Sequence, residues 1–181
     1  GILWTYSMKA SLHESGGRID SALHYIDKRM TSEKSLSKRK YHYYQKALLL
    51  MKTKNHTDAE TLLNSAKIIA LNEKDEDFLY HLSTYYHELY TTQGQYAKAL
   101  KTIQASRKYM KRKDAASHNL YKAQTFELMH REDSARYYYD VVAKSENLFL
   151  ASEAIYHLSR LAEADDDPEK AYLHHQDATG Y

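Results

Sequence analysis

His174 and His175 are adjacent, His81 and His87 lie six positions apart, and Asp165-Asp166-Asp167-Pro168-Glu169 forms an acidic run; these are the groups whose types could bind a metal or move a proton. Adjacent residues of a helix point about 100° apart, and residues six apart also miss a common face, so neither histidine pair starts a shared metal site. The acidic run lacks the glycine and the closing glutamate of a calcium loop. His-Glu-x-x-His, a Gly-rich phosphate loop, a Gly-x-Ser-x-Gly elbow and a cysteine nucleophile are all missing from the chain. None of the 24 acidic residues is set in an apolar stretch that would tune it as an acid or base. The sequence therefore points to no enzyme, no catalytic residue, no cofactor and no metal.

Two further motifs carry weaker chemistry. Asn55-His56-Thr57 is formally a glycosylation sequon, but Thr57-Asp58-Ala59-Glu60 reads better as a capping box, with Thr57 and Glu60 each satisfying a free N–H at a helix start. Arg107-Lys108-Tyr109-Met110-Lys111-Arg112-Lys113 is strongly basic. Cations suit a helix C-terminus, so a solvated helix end is the first expectation and a patch for nucleic acid or anionic lipid the second. Net charge is only +2, so no global field gathers polyanions. Without cysteine there is neither disulfide nor thiolate metal site, and the redox compartment stays open. No stretch approaches the roughly 18 apolar residues that span a bilayer.

The elements that hold these residues follow from a recurring alanine. Ala22, Ala59, Ala99, Ala135 and Ala171 stand 37, 40, 36 and 36 residues apart, a period that marks a helical repeat. Three, four and seven residues after each anchor come Tyr25, Ile26 and Arg29; Leu62, Leu63 and Ala66; Thr102, Ile103 and Ser106; Tyr138, Tyr139 and Val142; His174, His175 and Ala178. Those spacings share one helix face. Five before each anchor, Gly17, Lys54, Gly94, His130 and Asp166 mark the junction of two helices. Twelve before, Ala10, Ala47, Ala123 and Ser159 are small, so that two antiparallel helices can approach closely. His87 breaks that rule at the long interval, which suggests an extra turn in the first helix of the third pair, with Ser83 taking the crossing.

This pattern resembles the tetratricopeptide repeat, through Ala47, Leu50, Ala59 and Ala66, then Gly94, Tyr96 and Ala99, then Ala123, Phe126 and Ala135. The spacings exceed the family's 34 residues, and its proline after the second helix is absent, Pro168 being the only proline. The resemblance implies an all-α, right-handed superhelical solenoid of about five antiparallel helix pairs. It forms a single domain over 1–181, with repeats at 2–30, 35–71, 76–112, 114–144 and 147–178. It also implies a concave face, built by the first helix of each pair, that binds a protein or peptide. Projected onto those helices, the face comprises Tyr44, Leu48 and Met51, then Tyr85 and Glu88, then Tyr121, Gln124 and Glu127, then Tyr156, Arg160 and Glu163. Family members that clamp a terminal carboxylate use lysine and asparagine there. This chain has Ser7, Ser11, Tyr44 and Leu48, so that specificity is not expected.

Other readings are local. Arg29 stands where an apolar residue belongs, which makes the first repeat the least regular. The break Asn72 to Asp77 caps the following helix, and Asp166 with Pro168 starts the last, whose His174 and His175 suit a terminal, solvent-facing unit. Eighteen tyrosines against three phenylalanines and one tryptophan fit a thin repeat, each ring packed with its hydroxyl at the rim, or alternatively a recognition surface. Gly1 and the ending Ala178-Thr179-Gly180-Tyr181 suggest an excerpt of a longer protein, whose flanking domains would be further partners. The function expected is a non-catalytic protein-interaction module, the sensory or scaffolding region of a bacterial regulatory protein. The alternatives are nucleic-acid binding through 107–113 and a self-association scaffold; the compartment stays open between a periplasmic sensor region and a cytoplasmic adaptor.

Overall fold

A computed structural model describes residues 2–164. The acidic run 165–169 and the last expected helix, with Ala171, His174 and His175, lie outside the described residues. Among those residues all regular structure is helical: α1 Ile2–Ser15, α2 Ile19–Ser32, α3 Leu36–Lys52, α4 His56–Glu73, α5 Glu76–Thr92, α6 Tyr96–Ser106, α7 Ala115–Leu128, α8 Glu132–Ala143 and α9 Leu148–Ala164. The chain divides within α5 into two compact units, Gly1–Leu89 and Tyr90–Tyr181.

In the first unit α1 packs on α2 and α3 on α4, with α2 lying against α3. The anchors Ala22 and Ala59 are fully buried, as is Ala47, and Ala10 is nearly so. A methyl at both sides of a crossing lets the helix axes approach and brings the larger residues one turn away into contact. Ala10, Ala22, Ile26 and Leu49 form one such cluster, flanked by Ile19, Leu23, Tyr25 and Met30. In the second unit the same logic joins Ala123, Phe126, Ala135, Tyr139 and Val142 to Ala154, Leu158 and Leu161 of α9. Each fully buried valine, leucine or phenylalanine contributes about 1.5–3 kcal/mol. The residues four and seven after each described anchor are all buried except Arg29.

The junctions are as tight as the crossings. Gly17, Lys54, Gly94 and His130, each five residues before an anchor, have φ of 69°, 61°, 71° and 54°. That left-handed residue reverses the chain and lets the next N–H bond back into the ended helix: Arg18 N to His13 O at 2.8 Å, Asn55 N to Leu50 O at 2.9 Å, Gln95 N to Tyr90 O at 2.8 Å and Arg131 N to Phe126 O at 2.9 Å. α4 ends in the same way at Lys74, φ 55°.

Three sequence expectations are corrected. The extra turn lies in α4, not in the first helix of the third pair: α3 and α5 have 17 residues each, while α4 has 18 against 14 for α2. Its apolar face continues through Ile69 and Ala70, so the helix keeps gaining burial for another turn. His87 consequently holds the crossing place, buried, alongside a buried Ser83. The start of α4 is capped by Asn55, whose Oδ1 accepts from Asp58 N at 3.4 Å and whose Nδ2 donates to Asp58 Oδ2 at 2.8 Å; Thr57 is already inside the helix. The basic stretch is not a helix end: α6 stops at Ser106, and two short 3-10 turns, Arg107–Tyr109 and Arg112–Asp114, follow.

The break before α5 does cap it, with Asp75 Oδ1 accepting from Phe78 N at 3.0 Å. The other Asp75 oxygen and Glu73 Oε2 each lie 2.5 Å from Lys40 Nζ, which is buried on α3. Burial pushes the Lys40 pKa down, but the hydrogen bonds that its ammonium donates to Asp75 and Glu73 outweigh it, so the group is held above its ordinary value. This three-membered ion pair fixes the α4–α5 connection against α3.

A non-glycine residue in the left-handed region costs about 1–2 kcal/mol, partly offset because glycine frees the unfolded chain. Lys54→Gly and His130→Gly should therefore each raise the unfolding free energy by about 0.5–1 kcal/mol in urea titrations. At Gly94 an added Cβ meets nothing within 4 Å, so Gly94→Ala should lose about 1 kcal/mol through φ alone.

Candidate functional site

The side chains left over from the crossings face outward from the first helices, and in the first unit they enclose a cleft of about 340 Å³. α1 contributes Ser7, Ala10, Ser11 and Glu14, α2 contributes Ile26 and Arg29, and α3 contributes Tyr44, Gln45 and Leu48. Arg29, the one interruption of the apolar pattern, is half-buried and its Nη1 donates to Gln45 Oε1 at 3.0 Å. Burial lowers the Arg29 pKa while the charge of Glu33 opposes that shift, so the guanidinium remains a cation with restricted solvent. Glu14, at the rim, is paired with Lys52 at 2.6 Å. Tyr44 is fixed by stacking on Tyr85, with centroids 5.2 Å apart, and by edge contact with Phe78. A held aromatic wall, two serines and a cation that is not free to move away suit the capture of a polar, anionic or carbonyl-bearing chain segment.

The sequence-predicted residues of this unit are placed unequally. Tyr44 and Leu48 line the cleft and Tyr85 stands beside it; Glu88 is exposed one turn further along α5. Met51 is buried in the core and does not reach this surface. Arg29 and Gln45 were missed as site residues. The signal was the charged residue seven after an anchor, which sequence reasoning took as irregularity rather than as chemistry.

In the second unit Gln124 pairs with a glutamate of α9, while Glu127 and Arg160 belong to a second polar group. Gln124 Nε2 donates to Glu153 Oε1 at 2.9 Å. Glu127 Oε2 accepts from the hydroxyl of Tyr139 at 2.5 Å and lies 2.9 Å from His157 Nδ1, while Arg160 Nη1 is 3.9 Å from Oε1. Tyr139 is fully buried and stacks on His157, centroids 4.8 Å apart. Burial and the bond to Glu127 push the phenol of Tyr139 far above its ordinary pKa, so it stays a donor. Tyr156 is exposed beneath the Arg160 guanidinium, 6.0 Å from its centroid, and Tyr121 is half-buried on α7. Glu153 and His157 were missed, although they stand one turn apart on the helix that carries Arg160. Among the described residues no three His, Asp or Glu side chains converge to hold a metal, and no helix is long and apolar enough to cross a membrane.

This geometry, helix pairs crossing at small residues with polar groups on the first-helix faces, is the tetratricopeptide-like repeat fold. Solved structures share it. A MamA fragment (41-end) from Desulfovibrio magneticus RS-1 is 14% identical with a TM-score of 0.71, over 99% of this chain and 94% of that one. BtubC from P. vanneervenii is 15% identical with a TM-score of 0.79, over 96% and 77%. The TPR-like repeats of a putative kinesin light chain from Podosopora anserina are 11% identical with a TM-score of 0.73, over 98% and 93%. No family model matches the chain, and no curated protein matches it.

Two histidines mark where one pair lies on the next. His42 and His118 are both seventeen residues before an anchor, a place held by Leu82 in α5, and both are buried. Burial lowers each pKa, helped by Arg29 at His42 and by Lys122 and Arg107 at His118, which falls to about 4. A depressed folded-state pKa means the protein is stabilised above the unfolded value of about 6.5 and loses that stability as pH falls toward the folded value. Urea midpoints should therefore drop between pH 6.5 and 5, before most carboxylates titrate, and His118→Leu together with His42→Leu should flatten that decline. An unchanged slope in the double variant would assign the pH dependence elsewhere.

Proposed function

We propose that residues 1–181 form one tetratricopeptide-like domain whose role is non-catalytic capture of a protein or peptide, as the sensory or scaffolding region of a bacterial regulatory protein. The observation that carries this reading is the cleft of the first unit. It joins a half-buried cation, two serines and a fixed tyrosine on the face that the resemblance assigns to partners. A bound segment lies along Ser7, Ser11, Tyr44 and Leu48, placing a carboxylate or carbonyl against Arg29, with Tyr85 and Glu88 extending the contact. In the second unit Tyr121, Gln124, Glu127, Tyr156 and Arg160 offer a further aromatic and polar surface. The regulatory and bacterial setting rests on the resemblance of tyrosine-rich, loosely spaced repeats to such regions.

Buried aromatic and arginine anchors dominate the energetics of such interfaces. Tyr44→Ala with Tyr121→Ala should abolish partner capture from lysate, and Arg29→Gln should weaken it about tenfold or more, all with unchanged helical circular dichroism. Full capture by these variants would remove the first-helix faces from consideration.

A second reading is favoured by the 3-10 turns after α6. Arg107, Lys108, Lys111 and Lys113 are exposed there, and the Arg107 charge, after burial, helps depress Lys122 and His118, so positive potential accumulates at this connection. If it binds nucleic acid, affinity for random duplex falls linearly on a log–log salt plot, with a slope near −0.9 per phosphate contact. Absent or salt-insensitive binding in an anisotropy titration disposes of this reading.

A further inference from the structure

The face of α1 that points away from α2 carries Trp4, Met8 and Leu12, spaced one turn apart, and they are 66%, 52% and 65% exposed. The registers of Leu12 and Thr5 are covered in the other first helices, whereas the counterparts of Trp4 (Tyr41, His81, Ser117 and Glu153) and of Met8 (Gln45, Tyr85, Tyr121 and His157) are half-buried or exposed. Two residues beyond the crossing residue, the counterparts of Leu12 are Leu49, Leu89, Thr125 and Leu161, exposed by 1%, 0%, 0% and 7%. Five residues before it, Thr5 is exposed, whereas His42, Leu82, His118 and Ala154 are all buried.

What covers those counterparts is visible within each unit. Leu49 of α3 sits in one cluster with Ala22 and Ile26 of α2, and Ala154 and Leu161 of α9 sit with Ala135, Tyr139 and Val142 of α8. In each case the cover is the helix immediately before, joined by a short connection such as Glu33 to Ser35 or Lys144 to Asn147. A helix that ended the array would be expected to present a polar outer face. α1 instead presents a tryptophan, a methionine and a leucine.

We infer that the Trp4–Met8–Leu12 face of α1 seats a further helix of the same polypeptide, the segment immediately ahead of Gly1, packed on α1 as α2 packs on α3. The area decides against a separate molecule. A 14-residue helix is about 21 Å long, and a strip about 10 Å wide offers roughly 200 Å² per partner, against about 800 Å² for a stable association. A helix tethered by a few residues needs no such area, because its effective concentration is in the millimolar range. Its chemistry is that of the second helices here: a small residue at the crossing, with apolar residues four and seven positions later.

Trp4 is the only tryptophan of residues 1–181 and therefore reports on this face alone. The experiment measures acrylamide quenching of Trp4, isolated by difference against Trp4→Phe, in residues 1–181 and in the full-length gene product. The expected result is free quenching in residues 1–181 and a lower quenching constant in the full-length protein, independent of concentration. Leu12→Asp should then restore quenching and lower the urea midpoint in the full-length protein while leaving that of residues 1–181 unchanged. Equal quenching in both forms, or a gene product with no residues ahead of Gly1, overturns the proposal. So does shielding of Trp4 in residues 1–181 that grows with protein concentration, which would identify a second copy as the occupant.

Discussion

Close approach of two helices at a pair of small residues is the constraint on which the rest depends. At Ala10 with Ala22, Ala47 with Ala59, and Ala123 with Ala135, a methyl on each side brings the axes together, so that residues one turn away make the apolar contacts. Close axes in turn require a connection of minimal length. A left-handed residue supplies it at every described junction within a pair, even where that residue is Lys54 or His130 and the backbone conformation is unfavourable for it. That strain persists at exposed positions because the crossing on either side over-determines it.

What this constraint controls is legible in the sequence, and what lies outside it is not. Alanine at the anchors, apolar residues four and seven later and the reversal five before are all local in the chain, so their spacing alone locates the crossings. The extra turn was misplaced because four inserted residues return nearly to the same helix face. The pattern is therefore indifferent to whether α4 or α5 is lengthened, and only the reach of the apolar face to Ile69 and Ala70 decides. The cap was misjudged by two residues because asparagine and threonine are both good caps and both precede an acid at the right distance. Lys40 with Glu73 and Asp75 was invisible, since its partners are more than thirty residues away and no periodicity links them.

The candidate surfaces follow the same division. Tyr44, Leu48 and Tyr85 could be projected because they lie on a defined helix face. Met51 was projected with them but is buried, because α3 is packed on more than one side and its apolar positions do not distinguish core from surface. Tyr139 shows the converse. Its ring is core, as its place four after an anchor requires, yet its hydroxyl reaches Glu127 and so joins the polar network from beneath. A tyrosine-rich repeat gains from this: one residue type fills the crossing and also fixes the polar groups above it.

Polar side chains are also unevenly distributed through the repeat, and the unevenness carries information. Within a pair, the crossing tolerates only small or apolar groups, with His87 the departure among the described residues. Between one pair and the next, His42, His118 and Arg29 are admitted, each desolvated enough for its pKa to fall. An aliphatic residue would pack in each place without that penalty, as Leu82 does in the register of the two histidines and Ala66 in that of Arg29. Local departures from the apolar pattern concentrate where a protein has a use for them. Arg29 is the departure that also opens onto a cleft, with Gln45 holding its guanidinium in place.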